Sequence, residues 1–346
     1  MKLIPLDSTA ARLTGRVCFS GGKLWLTHSA SKCTAVFTGR ELTLSIGCDP
    51  QTVSGPRCNK PRIAVLVDGR IAVRKVIESE KESFTVIDSA ETVTREVTVV
   101  KLSEMAFSIA CVYPAETDDS AELVPAKARP RNIAFIGDSI TCGYGVDDSN
   151  LESPFATEAE NAMKSYAWLT CDLMDAEPWL YSYSGHGIIS GYTDNGQRNT
   201  REVLVPWYES LGFSYGRIDG KSPEEIPWDF TSAPADIVVI NLGTNDDSFC
   251  RANEGSYEEF EESYLSFLKT VRRCEPGAVI VCTMGIMETG TIPYIKRAAE
   301  RSGDDRTYFF RSAKQDGTLG YGSNWHPSEL TQQYAAEELA DFLKKI

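Results

Sequence analysis

Near residue 125 the hydrophobic pattern of this chain changes, from runs that alternate every second residue to apolar strands separated by repeats of three and four. Before the change, Lys23–Thr27, Thr34–Thr38 and Glu41–Ile46 alternate or nearly so, and Arg62–Val67 is a solid apolar run. Asp68-Gly69 follows it and Ile71–Val73 comes next, the signature of a two-residue hairpin turn whose positions favour a left-handed backbone. Phe84–Ile87, Arg95–Val100 and Ala106–Val112 are further strand runs, and no stretch has a convincing helical period. At least seven short strands with turn residues between them predict an all-β jelly-roll sandwich over residues 1–125.

Ala115–Pro130, with Asp118-Asp119-Ser120, Pro125 and Pro130, reads as a linker. Beyond it, Asn132–Ile136, Trp179–Tyr181, Asp236–Leu242, Ala278–Cys282 and Tyr308–Phe310 are strand runs. Ala167–Met174, Tyr257–Cys274 and Glu329–Lys345 read as helices, the second with Phe260, Tyr264, Phe267, Leu268 and Val271 on one face. A chain of 346 residues has room for two domains. Strand–helix alternation over 126–346 predicts a flavodoxin-like three-layer domain, with a parallel sheet and a ligand site at the carboxyl ends of its strands.

Charge removes some classes of partner. With 49 acidic against 35 basic residues the net charge is −14, and a phosphate backbone requires a basic stripe, so nucleic acid is excluded. No run approaches the roughly 18 apolar residues that span a bilayer, so no membrane partner is expected. Met1–Asp7 lacks the apolar core of a secretory signal, and the ten cysteines fall singly with no Cys-x-x-Cys. Reduced thiols in a cytoplasmic protein are therefore expected. Three scattered histidines, no His-Glu-x-x-His and no phosphate-loop pattern predict neither metal nor cofactor. Gly143-Tyr144-Gly145 lacks the third glycine of a dinucleotide loop. Nothing in the sequence sets the oligomeric state.

Three motifs stand at the junctions where such a sheet places its chemistry. The first strand runs into Gly137-Asp138-Ser139, the strand at 236–242 into Gly243-Thr244-Asn245-Asp246, and the last helix is preceded by Asn324-Trp325-His326-Pro327. A serine hydroxyl needs an adjacent base to act as a nucleophile, and Ser139 with His326 supplies that pair. Acyl transfer also needs donors for the developing oxyanion. The Ser139 N–H, a glycine N–H after the second strand and the Asn245 amide supply these. Taken singly, Ser139 is as well explained as a helix cap and Asn245-Asp246 as a turn.

Gly137-Asp138-Ser139, Gly185 within Ser184-Gly185-His186-Gly187, Gly243-Thr244-Asn245-Asp246 and His326-Pro327, in that order, resemble the SGNH hydrolase superfamily over residues 131–346. With a β-sandwich before them, the whole is similar to carbohydrate esterase family 2, whose members remove acetyl groups from plant-wall polysaccharides and oligosaccharides. The resemblance implies a serine esterase acting on acetylated xylan or mannan oligosaccharides, with Ser139 as nucleophile and His326 as base. It also implies an oxyanion hole of Ser139, Gly185 and Asn245. One position departs from the superfamily, which carries an aspartate two or three residues before the histidine where this chain has Asn324 and Ser323. Asn324 through its amide oxygen, a carbonyl near Gly322–Asn324, or a distant acid would then orient His326. An SGNH lipase or thioesterase, and a carbohydrate-binding protein with a decayed site, stay open as alternatives. Trp325, Asp138 and His186 are the candidate substrate-binding residues, and the long segment Ile188–Pro234, with Trp207 and Trp228, reads as a rim.

Overall fold

The computed structural model describes residues 2–346. They form two compact units, one of residues up to Ala128 with Phe155–Glu160 and Ser210–Ile226, the other of Arg129–Pro154, Asn161–Glu209 and Pro227–Ile346.

The first unit is built on a large antiparallel sheet of eleven strands. Its spine is two long strands, Lys32–Gly47 and Glu82–Lys101, paired from Lys32 opposite Val100 to Ile46 opposite Glu82. The sequence suggests two short strands in place of each, Thr34–Thr38 with Glu41–Ile46 and Phe84–Ile87 with Arg95–Val100. The chain instead stays extended through a register shift between Gly39 and Glu41, as a bulge allows. Arg62–Val67 pairs with Arg70–Val76 across Asp68 and Gly69, whose φ angles of 48° and 74° are those of a primed hairpin turn. The inward faces bury Leu24, Phe37, Leu42, Ile46, Ile63 and Val65 in one core. Segments distant in sequence complete this unit: Arg62 donates to the Glu160 carbonyl at 2.7 Å, and His28 Nε2 meets the Leu211 carbonyl at 2.8 Å. Part of the expected rim thus belongs to the first unit.

The second unit is a five-stranded parallel sheet of the SGNH type. Its strands are β1 (Arg131–Gly137), β2 (Ala176–Ser182), β3 (Ile237–Asn241), β4 (Val279–Met284) and β5 (Thr307–Arg311). The order across the sheet is 2-1-3-4-5, and every pairing is parallel. Buried on both faces, β3 reads as an unbroken apolar run over Ile237–Ile240. Pro178 is tolerated because β2 is an edge strand. The helices are α1 (Ser139–Cys142), α2 (Tyr166–Met174), α3 (Thr244–Cys250), α4 (Ser256–Cys274), α5 (Ile292–Arg301) and α6 (Glu329–Leu343). Right-handed crossovers put α2, which steps from β1 outward to β2, on the face opposite α4 and α5, which step the other way. The packing agrees: α2 lies against α6, and α4 against α5. The order reverses between β1 and β3, where such sheets form their crevice. Ser139 and Asn245 follow those two strands.

Candidate active site

Ser139 is the first residue of α1, directly after β1. Asp138 caps this helix by accepting the Ile140 N–H at 3.0 Å, and Gly143 closes it with a left-handed φ of 73°. A Cβ on Gly137 would stand 2.0 Å from Thr141 Oγ1, so only glycine lets the strand turn this sharply into the helix. From the opposite side Gln332 of α6 donates to the Ile140 carbonyl at 3.1 Å and accepts the Tyr166 N–H at 2.7 Å. The nucleophile candidate therefore sits on a short helix fixed at both ends.

His326 arrives on the loop before α6. Its Nε2 lies 2.8 Å from Ser139 Oγ, and its Nδ1 lies 3.1 Å from the main-chain carbonyl of Asn324. A carbonyl only accepts, so Nδ1 carries the proton and Nε2 presents its lone pair to the serine hydroxyl. Among the described residues, no carboxylate holds the ring. The Asn324 side chain turns away and donates to Tyr144 Oη at 3.1 Å, while the Tyr144 ring meets the imidazole edge to face at 4.6 Å. What aims the carbonyl is the backbone: Asn324 and Trp325 are consecutive left-handed residues with φ of 51° and 61°. Such residues cost about 1–3 kcal/mol each and persist only where their surroundings hold them. The surroundings are a close passage of two segments of the chain, in which a Cβ on Gly322 would stand 2.3 Å from the Gly145 carbonyl oxygen. The glycines of the discarded dinucleotide echo thus have another use. Burial pushes the His326 imidazole down to about 4, against the pull of the Asn324 and Ser323 carbonyls.

Asn245 lies in the first turn of α3, after Gly243, whose φ of 128° only glycine adopts readily. Its Nδ2 donates to the His186 carbonyl at 2.8 Å and stands 3.5 Å from Asp138 Oδ2. Next to His186 is Gly185, left-handed at φ 77°. Among the described residues, the N–H groups of Ser139 and Gly185 donate to no protein acceptor.

Asp246 was part of the motif but carried no expected role. It is fully buried and accepts the N–H groups of Ile188, Ile189 and Ser190 at 2.7–3.1 Å, which clamps the loop carrying Gly185 and His186. A Cβ on Gly187 would meet Ser190 O at 2.1 Å and Asp246 Oδ2 at 2.6 Å. Burial pushes the Asp246 carboxyl up to about 6, although those three N–H groups favour the anion.

The candidate substrate-binding residues fare differently. Trp325 is 54% exposed, its ring beside Tyr321 at 5.3 Å. Asp138 is wholly buried and spent as a helix cap, which removes it from a substrate; burial raises its carboxyl to about 7. His186 is 5% exposed, its Nδ1 donating to the Ser184 carbonyl at 2.9 Å and its ring between Tyr183 and Trp207. Its carbonyl, rather than its ring, reaches the site. Trp179 and Trp228 pack on each other at 6.3 Å. Among the described residues, no group of three or more His, Cys, Asp or Glu side chains is placed to hold a metal ion.

A serine bonded to an imidazole, with an asparagine and a free main-chain N–H beside it at the switch point of a 2-1-3-4-5 sheet, defines an SGNH-type acyl hydrolase fold. The chain belongs to the GDSL-like lipase/acylhydrolase family, whose model matches residues 135–318. That match ends before His326, whose place in the site rests on the geometry above. Cellulase/esterase CelE of Acetivibrio thermocellus is 35% identical over 230 residues, covering 64% of this chain and 26% of that protein. An acetylxylan esterase/glucomannan deacetylase of Cellvibrio japonicus is 29% identical over 231 residues, covering 65% of this chain and 60% of that protein. The chain thus spans less than two thirds of the length of these two relatives. The solved family two carbohydrate esterase from Clostridium thermocellum, in complex with cellohexaose, superposes over 97% of this chain and 98% of its own with a TM-score of 0.81 and 27% identity. An acetyl xylan esterase from the rumen bacterium Butyrivibrio proteoclasticus shares the fold at a TM-score of 0.86 and 22% identity, over 98% and 96% of the two chains.

Proposed function

We propose that this protein is a serine carbohydrate esterase that removes O-acetyl groups from plant-wall polysaccharides or oligosaccharides, xylan or mannan, through a Ser–His acyl-enzyme mechanism. The observation that carries the reading is the 2.8 Å contact between Ser139 Oγ and a His326 Nε2 whose partner nitrogen is held on the Asn324 carbonyl. Ser139 attacks the ester carbonyl while His326 takes its proton. The Ser139 and Gly185 N–H groups and the Asn245 amide receive the developing oxyanion. His326 then returns the proton to the departing sugar hydroxyl, and water repeats the cycle on the acyl-enzyme. A carbonyl keeps the tautomer and gives up the full charge an aspartate would add, so this is a dyad. Of the relatives named above, the acetylxylan esterase/glucomannan deacetylase of Cellvibrio japonicus supports the substrate class by its name.

Trp325, exposed beside the pair, offers a flat face to a sugar ring. The antiparallel unit is read as a jelly roll that accompanies the hydrolase unit. Ten free thiols favour a reducing, cytoplasmic setting. No described helix is long and apolar enough to cross a membrane, and the charge of −14 leaves nucleic acid outside the expected partners.

The test is acetate release from acetylated xylan and glucomannan oligosaccharides. Ser139→Ala and His326→Ala should each lower kcat by up to about 10⁶-fold, because such groups act as a unit, with the melting temperature nearly unchanged. Near-wild-type rates in either variant would overturn the reading. Equal rates on octanoyl and acetyl esters would favour a lipase.

A further inference from the structure

Glu202 lies outside every motif that the sequence offers, yet its carboxylate is held over the oxyanion glycine. A Cβ on Gly185 would stand 3.3 Å from Glu202 Oε2. The same carboxylate accepts Asn199 Nδ2 at 2.8 Å; that amide also donates to the Tyr192 carbonyl at 3.3 Å, and the Tyr192 N–H donates to Gly185 O at 2.8 Å. The main chain is pinned as well. Gly187 N donates to Glu202 O at 3.0 Å, Leu204 N to Gly187 O at 3.1 Å, and Gly191 N to Asn199 O at 2.9 Å. Gly191 has no room for a Cβ, which would stand 2.5 Å from that of Glu202. The side chain is half-buried and no cation pairs with it among the described residues. Burial pushes its carboxyl up, and Asn199 alone opposes.

A partly desolvated carboxylate with one amide donor has acceptor capacity to spare and can only accept. A second carboxylate brought close would be repelled, and a ligand without a donor would leave the anion underpaired. A neutral hydroxyl satisfies it with a charge-assisted bond. We infer that Glu202 is a specificity-determining residue, which accepts a hydrogen bond from a free hydroxyl of the alcohol half of the ester, close to the acetylated carbon. The substrate class is then a neutral, incompletely acetylated sugar, in preference to uronic acid esters and to esters of simple alcohols. This rests on the esterase reading above and adds a selection rule to it.

The experiment compares kcat/KM on a monoacetylated neutral sugar with a free neighbouring hydroxyl, on its deoxy analogue and on 4-nitrophenyl acetate. Hydrogen bonds to charged groups contribute enough for a roughly 10- to 100-fold effect. Glu202→Ala should lower the ratio of sugar to nitrophenyl ester by about 100-fold, and Glu202→Gln, which keeps an acceptor for Asn199, by about 10-fold. The wild type should disfavour the deoxy sugar by a similar factor, and the two variants should lose that discrimination. A purely structural Glu202 would depress all three substrates together, and an unchanged ratio in both variants, with melting temperatures near the wild type's, overturns the inference. If instead the wild type released no acetate from either sugar while Ser139-dependent cleavage of nitrophenyl acetate persisted, the sugar esterase reading itself would fall.

Discussion

Asp246 Oδ1 stands 2.7 Å from the backbone nitrogen of Ile189, and the same carboxylate takes the N–H groups on either side. One buried side chain of α3 therefore sets the course of the loop that carries Gly185, while its neighbour Asn245 is fixed by the His186 carbonyl of that loop.

Removing that clamp should affect fold and rate together. Asp246→Ala leaves three N–H groups without their acceptor, and each buried orphan costs about 1–3 kcal/mol. We expect a melting temperature lower by at least about 5 °C and a kcat lowered by roughly 10²-fold or more as the oxyanion donors drift. Asp246→Asn, which retains one oxygen, should fall between. A variant with wild-type kcat would separate Asp246 from the site.

Gly187 makes the same contact from the other side. Gly187→Ala places a methyl group where Ser190 O and Asp246 Oδ2 already stand. Overpacking of this kind costs about 1–3 kcal/mol, occasionally more. Thermal unfolding should show it, and a stability equal to wild type would mean the loop yields easily.

The pH dependence follows from the base. His326 must be neutral to take the Ser139 proton, and burial holds its pKa near 4, below the ordinary 6.5. Protonation of His326 should therefore halve activity on a neutral ester near pH 4, while any fall between about pH 7 and 5 belongs to Asp138 and Asp246, whose raised carboxyls take up protons there and loosen the loop clamp. The sign for stability is the same. The native state binds fewer protons than the unfolded chain between pH 4 and 6.5, so stability from this group rises with pH through that window and is lost as pH falls. A His326 imidazole that titrates near 6.5 when followed by NMR would contradict the desolvated, anion-free setting of the ring.

Substitutions at Asn324 should divide by backbone and not by side chain. Asn324→Gly keeps the left-handed turn and loses only the contact to Tyr144, so kcat should stay within about tenfold. Asn324→Pro fixes φ near −65° where the loop needs 51°, and removes the N–H donated to Leu151 at 3.2 Å. Its activity should fall nearly as far as that of His326→Ala. Equal rates in the two variants would dismiss the carbonyl as the group that orients the ring.

Much of the architecture was legible because it follows from local pattern. Unbroken apolar runs mark the parallel strands, and Ser139 and Asn245 stand just past two of them; His326 is marked instead by Pro327 ahead of the closing helix. Other parts carry no local signal. Helix α5 has no counterpart among the helices read from the sequence, and its Pro293 stands in the first turn, where proline is at home. Glu202 and the clamp on Ile188–Ser190 depend on contacts across seventeen to fifty-eight positions of the chain. The acceptor for His326 is main chain: a carbonyl near Gly322–Asn324 is among the sequence's alternatives, but no residue type singles it out from the Asn324 amide.

That last feature bears on how such a site changes over time. Every residue presents the same carbonyl, so no codon at position 324 specifies the acceptor, and only an exchange that forbids the left-handed turn, proline above all, displaces it. What is inherited is the path of the loop, guarded by Gly145 and Gly322 at their close passage. The charge and size of the group at 324 are then free to drift, while the glycines that never touch the imidazole are the positions where a single base change does lasting harm.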